Sequence, residues 1–329
     1  MVVLLDEIVL EYLKGLNFLD GQISGSMEVI PVKAQFDGSF EYLTLGEAMR
    51  SGFLKVEEID ESGSVPEVLV VNKATLPVLI VDGEELEGAK QNRIVNTSIL
   101  LREKSKTIIP VSCVEAGRWH YTSKDFRDSG RVAAKCVRFE KSVSVTESLE
   151  GSSEYLSDQR AVWDAVDRLH SISGSYSETG AMDAAFQKHE NRLEEFIKPF
   201  KVSEGQNGIL VAIDGVIVGL EFVSRHSTYK KLHDKIIKSY AIEALFRGET
   251  DPLTKDDIKT FMDEITSSKE TRKESPGYGF DYRFRSENCI GSALIYQGEI
   301  IHGVFFKLDK DERMARRKDR ISSRLNLEM

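Results

Sequence analysis

The sequence has few cysteines, and they lie far apart. Cys113, Cys136 and Cys289 form no CxxC pair, and an odd number leaves one thiol without a disulfide partner. Disulfide frameworks are indicated by an even number of cysteines, and zinc sites by closely spaced pairs. The sequence therefore predicts neither, and free thiols are typical of proteins in a reducing cytosol.

Long apolar runs are also missing. No run approaches the roughly 20 apolar residues that a membrane-spanning helix needs. Asp6, Glu7 and Glu11 interrupt the apolar residues near the start of the chain, where a secretion signal requires an unbroken run. We therefore expect a cytoplasmic protein that does not bind membranes.

Positive charge is in the minority. The 329 residues contain 44 Lys and Arg against 54 Asp and Glu, for a net charge of -10. Such an acidic surface disfavours general binding to nucleic acids. The basic C-terminal segment 309–329 is the exception, because its Lys and Arg residues suit phosphate backbones. Acids are interleaved at helical spacing, so we expect a solvated helix there, with RNA binding as the alternative.

Hydrophobic residues make up 41% of the chain, which is enough for a substantial core. Short β-branched runs between turn residues predict an antiparallel β-sandwich-like N-terminal half, with Ala133 to Val145 closing its sheet. In the C-terminal half, turns at Asp214-Gly215 and Gln297-Gly298 predict two hairpins among packed amphipathic helices. The predicted fold class is α+β.

Composition also suggests where domains end. The segment from Glu147 to Ser153 is rich in Ser, Gly and Glu, which predicts a boundary. We expect a β-rich domain with an N-terminal helix at residues 1–146, an α+β domain at 154–308 and a basic tail at 309–329.

The central stretch, from Leu76 to Tyr121, places polar side chains between strongly apolar strands. Arg93 and Arg118 suit the binding of phosphate or carboxylate through two parallel N–H bonds. Trp119 offers a ring for stacking. The predicted ligand-binding residues are Lys90, Gln91, Asn92, Arg93, Asn96, Arg118 and Trp119.

Two glutamates of the central stretch are candidate catalytic groups. Hydrolysis of a glycosidic or phosphoester bond requires a carboxylate that activates water, and Glu85 and Glu115 suit that role. Cys113 lies among apolar residues, where a thiol is more often inert than nucleophilic. The spacing of Cys113, Glu115 and His120 matches no common zinc pattern, so we expect no metal site. No cofactor is identified from the sequence.

A structural interpretation of the same residues is also open. Glu115 and Arg118 would form an ion pair at the end of a sheet, with Trp119 in the core. Lys90 to Arg93 would form a solvated strand face. The chain would then be a non-enzymatic protein-interaction module. A binding site requires the polar cluster to converge on an open cavity, whereas a structural role consumes it in internal hydrogen bonds.

Glu221 and His302 are single polar residues in predicted strands of the second half. A carboxylate between apolar neighbours, as in VGLEF, requires a partner if it is buried. His302 is expected to be a core histidine rather than a ligand.

The central stretch also resembles a known family. DGEELEGAKQNRIVNTSILL at 82–101 and IPVSCVEAGRW at 109–119 are similar to the signature of the ARG and rhodanese-phosphatase-superfamily-associated protein domain family. Weaker similarities at 42–49, 208–222, 239–245 and 291–306 extend the resemblance over most of the chain. The family's name records an association with ADP-ribosylglycohydrolase and phosphatase-like domains. The resemblance therefore implies a phosphorylated, ribose-containing or nucleotide-type small molecule as ligand, with its hydrolysis left open.

Overall fold

A computed structural model describes residues 5–60, 62–152 and 154–308, and these contain eight helices and eighteen strands. The helices are α1 Glu7–Lys14, α2 Leu45–Arg50, α3 Lys135–Gly151, α4 Gln159–Ser173, α5 Asp183–Lys188, α6 Glu190–Ile197, α7 His226–Ala244 and α8 Lys255–Thr266. The strands are β1 Asn17–Phe18, β2 Gln22–Ser24, β3 Met27–Lys33, β4 Leu43–Thr44, β5 Leu54–Glu57, β6 Glu67–Asn72, β7 Val78–Ile80, β8 Glu84–Gly88, β9 Arg93–Val95, β10 Ile99–Leu101, β11 Ser105–Cys113, β12 Phe126–Val132, β13 Gly208–Ile213, β14 Val216–Val223, β15 Lys269–Glu274, β16 Phe280–Arg285, β17 Cys289–Tyr296 and β18 Glu299–Lys307. The predicted α+β class is confirmed.

Nine strands form one antiparallel sheet in the order β1-β3-β13-β14-β18-β17-β16-β15, with β2 also paired to β3. The two predicted hairpins, β13-β14 and β17-β18, have left-handed turn residues. Asp214 and Gly215 have φ of 52° and 70°, and Gln297 and Gly298 have φ of 51° and 80°. Positive φ at both central residues matches the right-handed twist of the flanking strands. Both predicted hairpins are confirmed.

This large sheet is covered by helices on both faces. On β13, Ile209 and Val211 belong to the core that contains residues of α3, α4 and α7. Leu210, between them, belongs to the core formed with α1 and α8. Side chains of a strand alternate between faces, so the sheet is the middle of three layers.

Six strands of the first half close into a barrel in the order β11-β6-β5-β12-β8-β9. Strand β11 closes the ring, because Ser105–Pro110 pair with β6 and Val111–Cys113 pair with β9. The strands are antiparallel as expected, but they form a barrel instead of a sandwich. Inward and outward residues alternate in both arrangements, so the sequence pattern does not distinguish them. A small sheet, β10-β7-β4, packs beside the barrel.

The segment expected to close the N-terminal sheet is a helix. Ala133 to Val145 were predicted as a strand, but α3 covers Lys135–Gly151. Arg138 and Lys141 are buried along with its apolar residues. A helix buried on several faces lacks the single apolar stripe that identifies surface helices, which explains the error.

The large sheet contains strands from both sides of the expected domain boundary. Strand β3 pairs with β13 over six residue pairs, from Gly208↔Val32 to Ile213↔Met27. The boundary segment itself begins within the last turn of α3. The basic tail at 309–329 lies outside the described residues. Within the described ranges, no helix has the length and apolar character that crossing a bilayer requires.

Candidate functional site

The central stretch contributes β8, β9 and β11 to the barrel, β7 and β10 to the small sheet, and the loops that connect them. Lys90 to Asn92 lie in the short connection between β8 and β9, and the loop from Glu115 onward follows β11. Arg93 on β9 is opposite Leu86 on one neighbouring strand and Cys113 on the other. Paired residues share a face of a sheet, so strand pairing alone places the Arg93 guanidinium beside the thiol.

Arg118 is the centre of the loop network. Its Nη1 donates to the carbonyl oxygen of Ala89 at 2.7 Å. Its Nη2 donates to the carboxylate of Glu115 at 2.6 Å and to the amide oxygen of Asn92 at 3.1 Å. Burial alone would raise the pKa of Glu115, but hydrogen bonds from Arg118 and Thr179 lower it below its usual value. Glu115 is therefore an ionised structural acceptor in this arrangement.

Arg93 is fully buried and also bound within the protein. Its Nη1 donates to the side-chain oxygen of Gln91 at 2.8 Å and to Sγ of Cys113 at 2.7 Å. The carboxylate of Glu58 lies 3.8 Å from Nη2. Burial raises the pKa of the Cys113 thiol to about 11 despite the nearby Arg93, so the thiol stays protonated at neutral pH.

The amide side chains of Gln91 and Asn96 also connect segments of the protein. Gln91 donates to the carbonyl oxygen of Glu115 at 2.8 Å. Asn96 donates to the carbonyl oxygen of Tyr155 at 2.8 Å and accepts a hydrogen bond from Ser112. Such internal use of polar groups is what the structural interpretation requires.

Lys90 and Trp119 form an edge of the cluster that solvent reaches. The Lys90 ammonium donates to the carbonyl oxygen of Ser62 at 2.6 Å. It also lies 5.3 Å from the Trp119 ring centre and 5.1 Å from that of Tyr121. Trp119 is 45% exposed, so the expectation that it belongs to the core is wrong. Both rings are thus partly exposed at the surface, and each has the Lys90 ammonium over its face.

Glu85 lies apart from Glu115 but near the same segment of the second half. The backbone of Glu115 forms an isolated β-bridge with that of Ala181, and Asp183 lies two residues after Ala181 in the chain. Glu85 is fully buried, and neither of its carboxylate oxygens has a hydrogen-bond partner among the described residues. Burial and the negative charge of Asp183 raise its pKa to about 8, against the pull of Arg131. Glu85 therefore holds a proton at neutral pH.

A network of buried charges joins the barrel, α3 and the large sheet. Glu221 accepts from Arg138 at 2.7 and 2.9 Å and lies 3.2 Å from Nε2 of His302. Burial opposes ionisation of Glu221, but Arg138 and His302 bring its pKa to about 2. Lys141 contacts Asp82 at the turn before β8.

The sequence predicted that Glu221 needs a partner but did not identify Arg138. Arg138 and Lys141 stand among apolar residues in CVRFEKSVSV, and this was the available signal. Buried basic residues of this kind require acidic partners, but the partners lie far away along the chain.

An opening of about 850 Å³, which we call the acidic cleft, lies beside Tyr121. Glu58 at its wall is 7% exposed, and Oε2 has no hydrogen-bond partner within the described ranges. Glu57, Glu58 and Asp60 lie in an acidic, glycine-containing segment of the sequence, which is typical of a connector and gives no local signal of a site. The lining residues are Glu57, Glu58, Asp60, Tyr121, Thr122, Ser123, Lys124 and Asp125.

No metal site accompanies these clusters in the part of the chain that the structure describes. No three His, Cys, Asp or Glu side chains come together there in a way that would hold an ion.

Comparison with known proteins gives one result. Searches of curated proteins and of solved structures found no significant match. The model of the ARG and Rhodanese-Phosphatase-superfamily-associated Protein domain matches residues 15–306, which is most of the chain and includes both the barrel and the large sheet. The chain therefore belongs to the ARG and Rhodanese-Phosphatase-superfamily-associated Protein domain family.

Proposed function

We propose that the protein is a non-enzymatic binding module and that a basic peptide segment of a partner protein occupies the acidic cleft. The charge of the cleft carries the proposal. Four carboxylates, from Glu57, Glu58, Asp60 and Asp125, line it together with one ammonium group, that of Lys124. Lys55 pairs with two of the carboxylates, and one oxygen of the Glu58 carboxylate has no hydrogen-bond partner among the described residues.

The aromatic rings beside the cleft support a basic partner. Trp119 and Tyr121 are 45% and 47% exposed, and both already stack with Lys90. An arginine of the partner can stack on their exposed faces while it donates to the carboxylates. Basic and aromatic groups of this kind often supply most of the binding energy in interfaces.

The polar residues of the central stretch stabilise the wall of this cleft. Arg118 ties the loop after β11 to Ala89 and Asn92. Arg93, which is held by Gln91 and Cys113, lies 3.8 Å from the carboxylate of Glu58 in the lining. A site whose supporting residues are locked by hydrogen bonds loses less entropy on binding.

A nucleotide-type ligand is the second candidate, and the exposed rings favour it because a base can stack on either one. Its phosphates would meet the four carboxylates of the cleft. Arg93 and Arg118 would have to leave their internal partners to neutralise them. The phosphorylated ligand therefore stays a prediction, ranked below the basic peptide.

One substitution separates the two candidates. Lys124→Gln removes the single ammonium of the cleft lining. It should strengthen binding of an arginine-rich peptide about threefold and weaken binding of ADP-ribose or ATP, because screened surface charges contribute roughly 0.5–1 kcal/mol each. Isothermal titration calorimetry of the wild type and the variant measures both effects. Lys188→Gln, which removes an ammonium from α5, is the control for net charge.

Peptide binding should also weaken as salt rises from 0.05 to 0.3 M, because added ions screen exposed charges. Tight binding of ADP-ribose without peptide binding would favour the second candidate. Binding of neither probe would contradict both.

A further inference from the structure

A second cleft lies on the other side of the large sheet from α3, where α1 meets the segment after β3 and the turn before β18. Its volume is about 310 Å³, at the lower end of the range for small-molecule sites. We call it the N-terminal cleft. Its lining includes Ile8, Glu11, Tyr12, Phe36, Asp37 and Glu299.

The wall of the N-terminal cleft is aromatic. The Tyr12 ring packs on Phe222 with ring centres 5.0 Å apart, which fixes it against the sheet. Phe36, at the rim, is 76% exposed, and Ile8 beside it is 38% exposed. Apolar side chains left in water next to a cavity favour a ligand with an apolar body.

The Tyr12 hydroxyl is a buried group without a partner. Its oxygen has no hydrogen-bond partner among the residues that the structure describes. Burial, together with the nearby Tyr42 and Asp37, raises the pKa of Tyr12, so the hydroxyl stays protonated. Buried hydroxyl groups are nearly always hydrogen-bonded, so an unsatisfied hydroxyl at the cleft favours a ligand that carries a polar atom.

The charge of the lining determines which sign of charge the ligand carries. Three carboxylates, from Glu11, Asp37 and Glu299, line the cleft, and the lining includes no Lys, Arg or His. Glu299 and Asp37 accept backbone N–H groups, those of Ser39 and His226. Within the described ranges, the Glu11 side chain makes no hydrogen bond or ion pair. A cation is attracted to this lining and an anion is repelled.

We propose that the N-terminal cleft binds a small organic amine that carries one aromatic ring. The ring lies against Tyr12 and Phe36, and the ammonium group donates to the Tyr12 hydroxyl and to the carboxylates of Glu11 and Asp37. The volume, the aromatic wall, the unpartnered hydroxyl and the acidic lining all fit this class. The site is independent of the acidic cleft, which lies at the barrel.

Phenethylamine is the probe that tests the proposal, with phenethyl alcohol and phenylacetate as its neutral and anionic matches. Titration calorimetry should show that affinity decreases from the amine to the alcohol and from the alcohol to the acid. Tyr12→Phe keeps the ring and should weaken amine binding about tenfold, the value of one hydrogen bond to a charged group. Glu11→Gln should weaken the amine and leave the alcohol unchanged.

Glu7→Gln is the matched control, because this substitution removes the same charge from the same helix. Glu7 does not line the cleft. It should leave the affinity for phenethylamine within about twofold of the wild type. The proposal is overturned if the amine binds no better than phenylacetate, if none of the three probes binds, or if Glu7→Gln and Glu11→Gln weaken the amine equally. Thermal unfolding of each variant shows whether it is folded.

Discussion

Buried charge determines what single residues do in this protein. Arg138 and Glu221 are both fully buried and joined by two hydrogen bonds of 2.9 and 2.7 Å. Removing two ions from water costs several kcal/mol each, and only a partner of good geometry offsets that cost. The pair therefore specifies which surfaces of α3 and the large sheet meet more than it adds to stability.

Breaking this pair on one side should be severe. Arg138→Met leaves the Glu221 carboxylate buried without its cation, which should lower the free energy of unfolding by about 3–5 kcal/mol. Arg247→Met removes a similar contact to Asp214, but both side chains are more than 40% exposed, so it should cost less than about 1 kcal/mol. Urea denaturation measures both. Equal effects would contradict the argument from burial.

Glu85 should make stability depend on pH. Its folded pKa of about 8 is above the ordinary value of 4.5, so the folded state favours the protonated form. That contribution is fully present below about pH 4.5 and is lost as the pH rises through about 8. Glu85→Gln keeps a neutral side chain at every pH. It should therefore raise the melting temperature at pH 8.5 and change it little at pH 5, as measured by scanning calorimetry.

Glu67→Gln is the control for this prediction, because Glu67 is an exposed glutamate of the same barrel. Its effect on melting should be small at both pH values. If Glu85→Gln had the same effect at pH 5 and pH 8.5, Glu85 would already be ionised in the folded protein.

Sequence reasoning identified several of these residues and one pair, Glu115 with Arg118, but it did not identify the other partners. Arg93 and Arg118 were selected for the binding geometry of their guanidinium groups, and the structure shows that geometry used on internal partners. Glu221 was selected because a buried carboxylate needs a cation. Arg138 lies 83 residues away in the chain, so no local pattern connects the two.

At the scale of elements, close backbone contacts fix how the small sheet meets the large one. Tyr278 donates its backbone N–H to the carbonyl oxygen of Leu100 on β10 at 2.7 Å. The neighbouring Gly277 has no room for a side chain, because a Cβ there would lie 2.2 Å from the same oxygen. The small sheet is therefore joined to the large one through a position that only glycine tolerates.

Gly277→Ala should lower the free energy of unfolding by about 1–3 kcal/mol, because the added methyl group forces the two segments apart. Gly151→Ala is its control. A Cβ at Gly151 meets nothing within 4 Å, and this residue ends α3, so alanine should raise stability by up to about 1 kcal/mol. Chemical denaturation should thus give changes of opposite sign. A neutral Gly277→Ala would show that Leu100 moves without cost.

Elements determined by neighbouring residues were predictable. The capping boxes of Thr44 with Glu47 and of Thr254 with Asp257 begin α2 and α8. Each depends on residues three positions apart, so the sequence contains the whole signal. Helix α3 was missed because its burial depends on the two sheets that enclose it, and the closure of the barrel depends on pairings that local alternation does not specify.

At the scale of the whole molecule, the two halves share their largest sheet. Strand β3 of the first half lies between β1 and β13, and both faces of the sheet pack against helices. Composition and alternation were sufficient to predict the α+β class. The pairing of β3 with β13 was not predictable, because about 180 residues separate Pro31 from Ile209 in the chain.

Because of this shared sheet, the fragment 1–152 should not fold alone. It contains β3 without β13, which leaves the apolar faces of Val29 and Ile30 uncovered. Circular dichroism should show no cooperative unfolding transition for the fragment. The intact chain cleaved at an inserted protease site between 152 and 154 is the control, and it should remain folded as a two-piece complex. A cooperative transition in the fragment would support an independent N-terminal domain instead.

The edge strands of the large sheet affect whether two copies of the protein can pair through their sheets. One outer strand is β15, whose sequence KETRKE has charged side chains on both faces. At the other edge of the sheet, the outer side of β3 pairs only with β1 and β2, which have two and three residues. An open strand can pair with another copy of the protein, but closely spaced charges and short length oppose this pairing. Both edges of the nine-stranded sheet are therefore poor templates for pairing with another copy.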